Sequence, residues 1–345
     1  MSLKIVVTRR IPDPGLSVLR DSGATIQIVQ PDPRAAVDRA ALLAAVADAD
    51  VLLALLTERI DEPLLTHAGR LRGVANFAVG FNNIDVDAAT RLGIPVANTP
   101  GVLTESTADL TWALLLAIAR RVPEAHNYMV RGEYQIWGPE LFLGEDVGLG
   151  PDGERRTLGI IGFGRIGQAV ARRARGFDMC VVAYDPYMRD AINASHDATW
   201  SDFDQLLQQS DFVSLHAVLT AETHHLIGER ELRLMKEGAY LINVARGEMV
   251  DETILVRALN ERWIAGAALD VYEREPAMAD GLARCANAVF VPHIGSSTHG
   301  TRKRMATMAA NNAVAHLNLQ QAAHVVNHAV YDSDAYRERI ARLVV

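Results

Sequence analysis

Residues 158–167 read Leu158-Gly159-Ile160-Ile161-Gly162-Phe163-Gly164-Arg165-Ile166-Gly167, then run on through QAVARRARGF to a second apolar stretch, VVAYD, that ends at Asp185. A short apolar strand, a glycine-rich turn, a helix and an acidic strand end follow one another without interruption, which is the context a dinucleotide fingerprint requires. Gly162 is expected to make the tight turn, Gly164 to admit a pyrophosphate close to the backbone, and Gly167 to let the helix pack on the strand. The helix start, with Arg165 and Ile166, offers free N–H groups and a positive dipole end to the phosphates. A carboxylate at Asp185 suits ribose hydroxyls and repels a 2′-phosphate, so NAD(H) is expected over NADP(H).

The same rhythm extends in both directions. Upstream, apolar runs at 3–7, 26–29, 51–55, 73–77 and 95–97 alternate with helical patterns and predict a parallel α/β sheet. The turn after its first strand, Thr8-Arg9-Arg10-Ile11-Pro12, lacks glycine, so this half is not expected to hold the nucleotide. Downstream, runs at 181–184, 212–216, 240–244, 267–271 and 289–291 predict a second parallel sheet. A helix is expected from Thr104 to about Arg121, an exposed loop over 142–156, and a helix over about 301–320 that returns to the first sheet.

The chain has 345 residues, 49% apolar and 22% charged, which predicts two domains with substantial cores. Its net charge of −8 is dispersed, arguing against a nucleic-acid partner. No apolar run approaches the ~20 residues of a membrane span, and the N-terminal stretch with Lys4, Arg9 and Arg10 does not resemble a signal peptide, so a cytoplasmic protein is expected. Cys180 and Cys285 lack metal-ligand spacing and are expected to be reduced and packed; no metal site is expected.

Three segments of the second half place a polar residue just past an apolar strand: NVARGEMVDE supplies Arg246, ALDVYEREP supplies Glu275 and VFVPHIGSST supplies His293. Reducing a 2-keto acid needs a cation for the carboxylate and a proton donor for the keto oxygen. Arginine grips a carboxylate bidentately, and histidine exchanges its proton near neutral pH. A neighbouring carboxylate would stabilise the charged imidazole. Among 11 histidines, His216 also follows an apolar strand, and spacing alone does not separate it from His293; His224, His225 and His299 read as solvated or capping residues.

Taken together, AVGFNNIDVDAA, GIPVANTPGVLTESTADLTWALLLA, LGIIGFGRIGQAVARRARGF, HAVLTAETHHLIG, LINVARGEMVDE, AALDVYEREP and PHIGSST resemble, in order, the D-isomer-specific 2-hydroxyacid dehydrogenases, and within them the glyoxylate/hydroxypyruvate reductases. The resemblance implies Arg246, Glu275 and His293 as the catalytic set, favouring His293 over His216. It further implies cofactor contacts at Thr107, Val218, Val244, Asp270 and Gly295, and substrate contacts at Val79 and Gly80. It implies a homodimer in which Trp137 reaches the partner subunit's pocket. The implied architecture is two Rossmann-like, doubly wound parallel-sheet domains with the active site in the cleft between them. A discontinuous substrate domain spans residues 1–101 and 296–330, a cofactor domain 102–295, and a C-terminal tail 331–345. The substrate is expected to be a small 2-keto or 2-hydroxy acid.

The sequence departs from the family pattern at the long polar segment 148–156, at Asn82 where aspartate is common, and at Val218 where proline is frequent. Glu275 argues against a formate dehydrogenase, which usually carries glutamine there. The absence of a Lys/Arg cluster near Thr57 and Val79 argues against a phosphorylated substrate such as phosphoglycerate. A corepressor-like NAD(H) sensor of the same fold shares the cofactor motif and is separated from an enzyme by turnover.

Overall fold

The computed structural model describes residues 2–32 and 34–344; Met1, Pro33 and Val345, which fall within the expected domain bounds, lie outside the described residues. The chain divides into two compact units, one of residues up to Leu103 together with those from Ser297 onward, the other Thr104–Ser296.

In the first unit, β1 (Lys4–Arg9), α1 (Asp13–Asp21), β2 (Thr25–Gln30), α2 (Arg39–Val46), β3 (Val51–Ala54), α3 (Glu62–His67), β4 (Gly73–Asn76), α4 (Val86–Arg91) and β5 (Val96–Ala97) alternate along the chain. The second unit contains α5 (Thr104–Ala119), α6 (Val122–Val130), β6 (Thr157–Ile161), α7 (Arg165–Ala174), β7 (Cys180–Tyr184), α8 (Arg189–Ala194), β8 (Thr199–Trp200), α9 (Phe203–Gln209), β9 (Phe212–Leu215), α10 (Glu229–Leu234), β10 (Tyr240–Asn243), α11 (Glu252–Asn260), β11 (Gly266–Leu269) and β12 (Ala288–Phe290). The chain then re-enters the first unit with α12 (His299–Leu317) and α13 (Asp334–Val344).

Both sheets are parallel throughout, with strand orders β2-β1-β3-β4-β5 and β12-β11-β10-β9-β6-β7-β8. The central strands are buried on both faces, as helix-covered parallel strands must be. Helix starts follow local signals: the side chains of Asp38, Asp61, Asp85 and Asp251 accept the N–H of Ala41, Leu64, Ala88 and Ile254, capping α2, α3, α4 and α11. In the second sheet the chain order reverses between β6 and β9, the position at which doubly wound sheets open a ligand crevice.

Four expectations change. Cys180 is exposed, because it opens β7 at the sheet rim before the helices cover the strand; Cys285 is buried. The helix expected to run to Arg121 stops at Ala119; Arg121 turns left-handed (φ 52°) and caps α6. Within the expected loop 142–156, Leu149 and Arg155 form an antiparallel bridge that closes a small hairpin. Residues set apart as a tail include α13, whose buried Arg339 donates to the carbonyls of Leu71 (2.5 Å), Ala68 (3.0 Å) and Leu92 (3.2 Å).

Candidate active site

Gly162 and Gly167 take the tight-turn and close-packing geometry that their spacing predicts. Gly162 has φ +92°, and a Cβ there would lie 2.4 Å from Ala217 N, because the chain leaving β9 passes against it. A Cβ at Gly167 would lie 2.2 Å from Gly162 O, so α7 approaches β6 as closely as a glycine allows. At Gly164 a Cβ meets nothing within 4 Å, leaving open the side on which a phosphate would approach the start of α7. Arg165 is exposed at the first position of that helix and Ile166 is partly buried beside it.

Asp185 Oδ2 accepts the N–H of Phe163, inside the glycine turn, and Oδ1 accepts that of Tyr187, both at 2.9 Å. The acidic strand end therefore also holds the glycine turn in place. Val218 lies exposed past β9, Val244 is buried past β10, and Thr107 on α5 donates its hydroxyl to Gly295 O at 3.3 Å. These residues fit a bound nicotinamide dinucleotide: an open glycine turn at a helix start, a carboxylate at the second strand end, and a lining of Thr107, Val244 and Gly295.

His293 and Glu275 meet directly: Nδ1 of the imidazole lies 2.9 Å from Glu275 Oε2, while Glu275 Oε1 accepts the N–H of Tyr272 at 3.2 Å. Burial pushes Glu275 up. The hydrogen bond and charge of His293, the Tyr272 N–H and the Arg246 guanidinium outweigh it and hold the carboxyl below its ordinary value. Arg246 is partly buried past β10, its charge interacting with Glu248 and Glu275 against a dominant desolvation that lowers its pKa.

His293 sits in the left-handed region (φ 51°), a conformation that surrounding bonds must impose. Asp270 supplies them. Its carbonyl accepts His293 N (2.9 Å), and its carboxylate accepts Ile294 N and Gly295 N (2.9 Å). Asp270 is buried, which pushes its carboxyl up, although the two amides and His293 oppose the shift. It therefore shapes the histidine turn in addition to any contact with a cofactor.

His216, the other strand-end histidine, sits in a different environment. Its Nε2 pairs with Ser214 Oγ at 2.8 Å, and burial pushes it down to about 3, so it stays neutral across the working range. His225 is not simply solvated: Nε2 lies 3.2 Å from Glu273 Oε1 and its ring lies tilted against that of His224, the centroids 4.1 Å apart. In the first unit, Asn98 donates to Val79 O (2.7 Å) and Asn76 to Gly80 O (2.9 Å). The two carbonyls are thereby fixed, and the N–H groups of Val79 and Gly80 take no protein partner among the described residues. Trp137 is exposed beyond α6 with Met129, Val130, Ile136 and Leu143.

Three contributors escaped the sequence reading. Asn243 donates to Arg246 O (2.8 Å) and accepts Ala245 N (3.0 Å), folding the turn that presents Arg246. Tyr272 donates to Val291 O (2.9 Å), joining the Glu275 loop to the chain that leads to His293. Glu252 accepts the N–H of Glu273 (2.9 Å) and of Ala279 (3.0 Å). Asn243 and Glu252 lie within the segment that drew attention to Arg246, but only the fold shows what their side chains reach.

A doubly wound sheet with this glycine turn and a carboxylate–imidazole pair beside an arginine defines a nicotinamide-dependent oxidoreductase. The family model for the D-isomer specific 2-hydroxyacid dehydrogenase, NAD binding domain, matches residues 112–295. A glyoxylate reductase of Thermococcus litoralis is 45% identical over 337 residues, covering 96% of this chain and 99% of that protein. A crystal structure of a Thermus thermophilus protein superposes with a TM-score of 0.85 at 41% identity, covering 94% of this chain and 100% of the other. An NADPH-dependent glyoxylate/hydroxypyruvate reductase of Sinorhizobium meliloti, solved with NADP and malonate, superposes at 0.80 with 30% identity over 95% and 97% of the two chains. The chain belongs to the D-isomer-specific 2-hydroxyacid dehydrogenase family. It is an oxidoreductase that exchanges hydride between a nicotinamide cofactor and a 2-hydroxy or 2-keto acid.

Proposed function

We propose that the protein reduces glyoxylate, and hydroxypyruvate as a close second substrate, with NADH preferred over NADPH. The observation that carries the reading is the 2.9 Å contact between His293 Nδ1 and Glu275 Oε2, close enough to Arg246 for its charge to act on the carboxylate. With Nδ1 donating to Glu275, Nε2 is the atom that gives a proton to the keto oxygen. Glu275 stabilises the charged imidazole before transfer, and Arg246 holds the substrate carboxylate and polarises the carbonyl. The N–H groups of Val79 and Gly80, which take no protein partner among the described residues, are candidate donors to a carboxylate.

Gly162, Gly164, Arg165, Ile166, Gly167 and Asp185 hold the dinucleotide, with Thr107, Val218, Val244, Asp270 and Gly295 along it; bound there, the nicotinamide supplies or accepts the hydride. Oxidation of the hydroxy acid reverses the proton's path, His293 then accepting it.

A small unphosphorylated substrate is favoured by the surroundings of Thr57. The guanidinium that reaches it, Arg9, is also 3.3 Å from Glu58, whose carboxylate answers its charge locally. The glyoxylate reductases of Thermococcus species, 44–47% identical over 96% of the chain, support the same substrate.

The test is turnover of NADH and NADPH with glyoxylate, hydroxypyruvate, pyruvate and longer 2-keto acids, followed by nicotinamide absorbance. Glyoxylate with NADH is expected to give the highest kcat/KM; binding of NADH without turnover of any keto acid overturns the reading. His293→Ala is expected to lower kcat about a hundred- to ten-thousand-fold with NADH binding retained.

A further inference from the structure

We propose that Glu252 is a positioning residue for the reaction: its buried carboxylate staples the loop that carries Glu275 to the segment that carries Arg246. The proposal rests on reading Glu275 and His293 as the proton-handling pair.

Glu252 is the first residue of α11, where a glutamate ordinarily faces water and favours the helix dipole. Here it is 2% exposed. A carboxylate is costly to bury unless its oxygens are bonded, and each of these accepts one backbone N–H, from Glu273 and from Ala279. Those two amides bracket Glu275. Between them the chain makes a tight turn, with Ala277 N bonded to Arg274 O at 2.9 Å. The staple thus closes the base of the turn, and only a side chain with two acceptor atoms does so; glutamine offers one.

The other end of the staple matters equally. Glu252 follows Arg246 along a single 3-10 turn, Gly247–Met249, and the helix start. A Cβ at Gly247 would fall 1.8 Å from Tyr272 C, so the arginine turn and the base of the Glu275 loop are in backbone contact. From the same base, Tyr272 Oη reaches Val291 O, two residues before His293. One continuous set of contacts runs from Arg246 through Glu252 to the Glu275 loop and on to His293.

The charged groups around the carboxylate are Glu273 and Glu275 on the loop and Asp251 beside it on the helix cap; His225 faces Glu273 from the other flank. Burial, then repulsion from Glu273 and Glu275, push Glu252 up, and the two amides pull it down. A carboxylate held against such neighbours is kept for what it positions.

The experiment compares Glu252→Gln, Glu252→Ala, Glu275→Gln and the double variant Glu252→Gln/Glu275→Gln with the wild type in the full chain. Each is measured for NADH affinity by fluorescence titration, for kcat and KM with glyoxylate across pH, and for Tm. Glu252→Gln is expected to bind NADH as the wild type does. Its kcat should be lower by about tenfold or more, and the high-pH limb of reduction should move toward acid by about one unit, as in Glu275→Gln. The double variant should move that limb no further than Glu275→Gln alone. A wild-type limb and kcat in Glu252→Gln, with a displaced limb in Glu275→Gln, overturns the staple. So does a Tm loss in Glu252→Gln with the limb unmoved, which marks a purely structural role. A wild-type limb in Glu275→Gln instead refutes the reading of the pair, and the proposal falls with it. If Glu252→Ala does not fold, the isosteric variant decides.

Discussion

At the scale of single residues, the site is a set of side chains whose second bonds matter as much as their first. Asp185 illustrates this, since the carboxylate that would meet ribose hydroxyls also holds Phe163 N–H inside the glycine turn. Asp185→Ala is therefore expected to raise KM for NADH about tenfold, from the orphaned turn as well as the lost ribose contact. It should also narrow the ratio of kcat/KM between NADH and NADPH; an unchanged ratio would remove Asp185 from cofactor choice. Glu275→Gln is expected to move the high-pH limb of glyoxylate reduction toward acid. Without the carboxylate the charged imidazole is less stable, so the loaded acid is lost at lower pH, and a pH series of kcat/KM reads this directly. The residue types of the proposed catalytic set stand out in the sequence, because arginine, glutamate and histidine each follow an apolar strand. The choice between His293 and His216 was not legible from spacing. It depends on enclosure, which buries His216 neutral beside Ser214 and leaves His293 against Glu275.

At the scale of elements, strands and helices with their own punctuation could be read in advance, while those defined by distant partners could not. Aspartate caps announce α2, α3, α4 and α11 within a few residues. The two-residue β8 has no such signal, and α13 is tied to the first sheet's helices by a side chain that reaches far along the sequence. Arg339 lays its guanidinium across the carbonyls of Ala68 and Leu92, at the C-terminal ends of α3 and α4, and of Leu71 between them. A cation at two helix C-termini is favourable on both counts, and burial lowers it to about 10 without removing its charge near neutrality. Arg339→Met leaves the carbonyls without their donor and is expected to cost about 2–4 kcal/mol, seen as a lower denaturation midpoint with kcat unchanged. A stability equal to the wild type would show that α13 is held by something other than this clamp.

At the scale of the whole molecule, stability and assembly have their own signatures. His316 on α12 is buried against Gly73, where a Cβ would strike its ring at 2.4 Å, and burial lowers it from 6.5 to about 4. Between those values the unfolded chain binds the proton and the folded protein does not. The contribution is therefore intact above pH 6.5 and is lost as pH falls toward 4, by about 3 kcal/mol in full. Denaturation midpoints of His316→Leu should fall less over that window than those of the wild type. Within the short stretch from α6 to residue 143, Met129, Val130, Ile136, Trp137 and Leu143 are all exposed, and large exposed apolar side chains are what subunit interfaces cover. A homodimer is the expected state, and Ile136→Asp with Trp137→Ala should shift the mass measured by light scattering toward the monomer. No helix among the described residues is long and apolar enough to cross a membrane.

The helix α12 has one more consequence. It packs on α1 and along β3 and β4, and Gly15 meets it so closely that a Cβ would stand 2.5 Å from Ala306 O. Synthesis from the N-terminus delivers this cover last: the first sheet emerges early with Phe77, Val7 and Leu53 facing a gap, while Thr104–Ser296 is a contiguous stretch that closes on itself. On the ribosome the cofactor-binding unit therefore acquires its core before the first unit, which stays open and sticky until some two hundred residues later. A nascent chain halted after Ser296 should engage a chaperone through its oldest strands, not its newest.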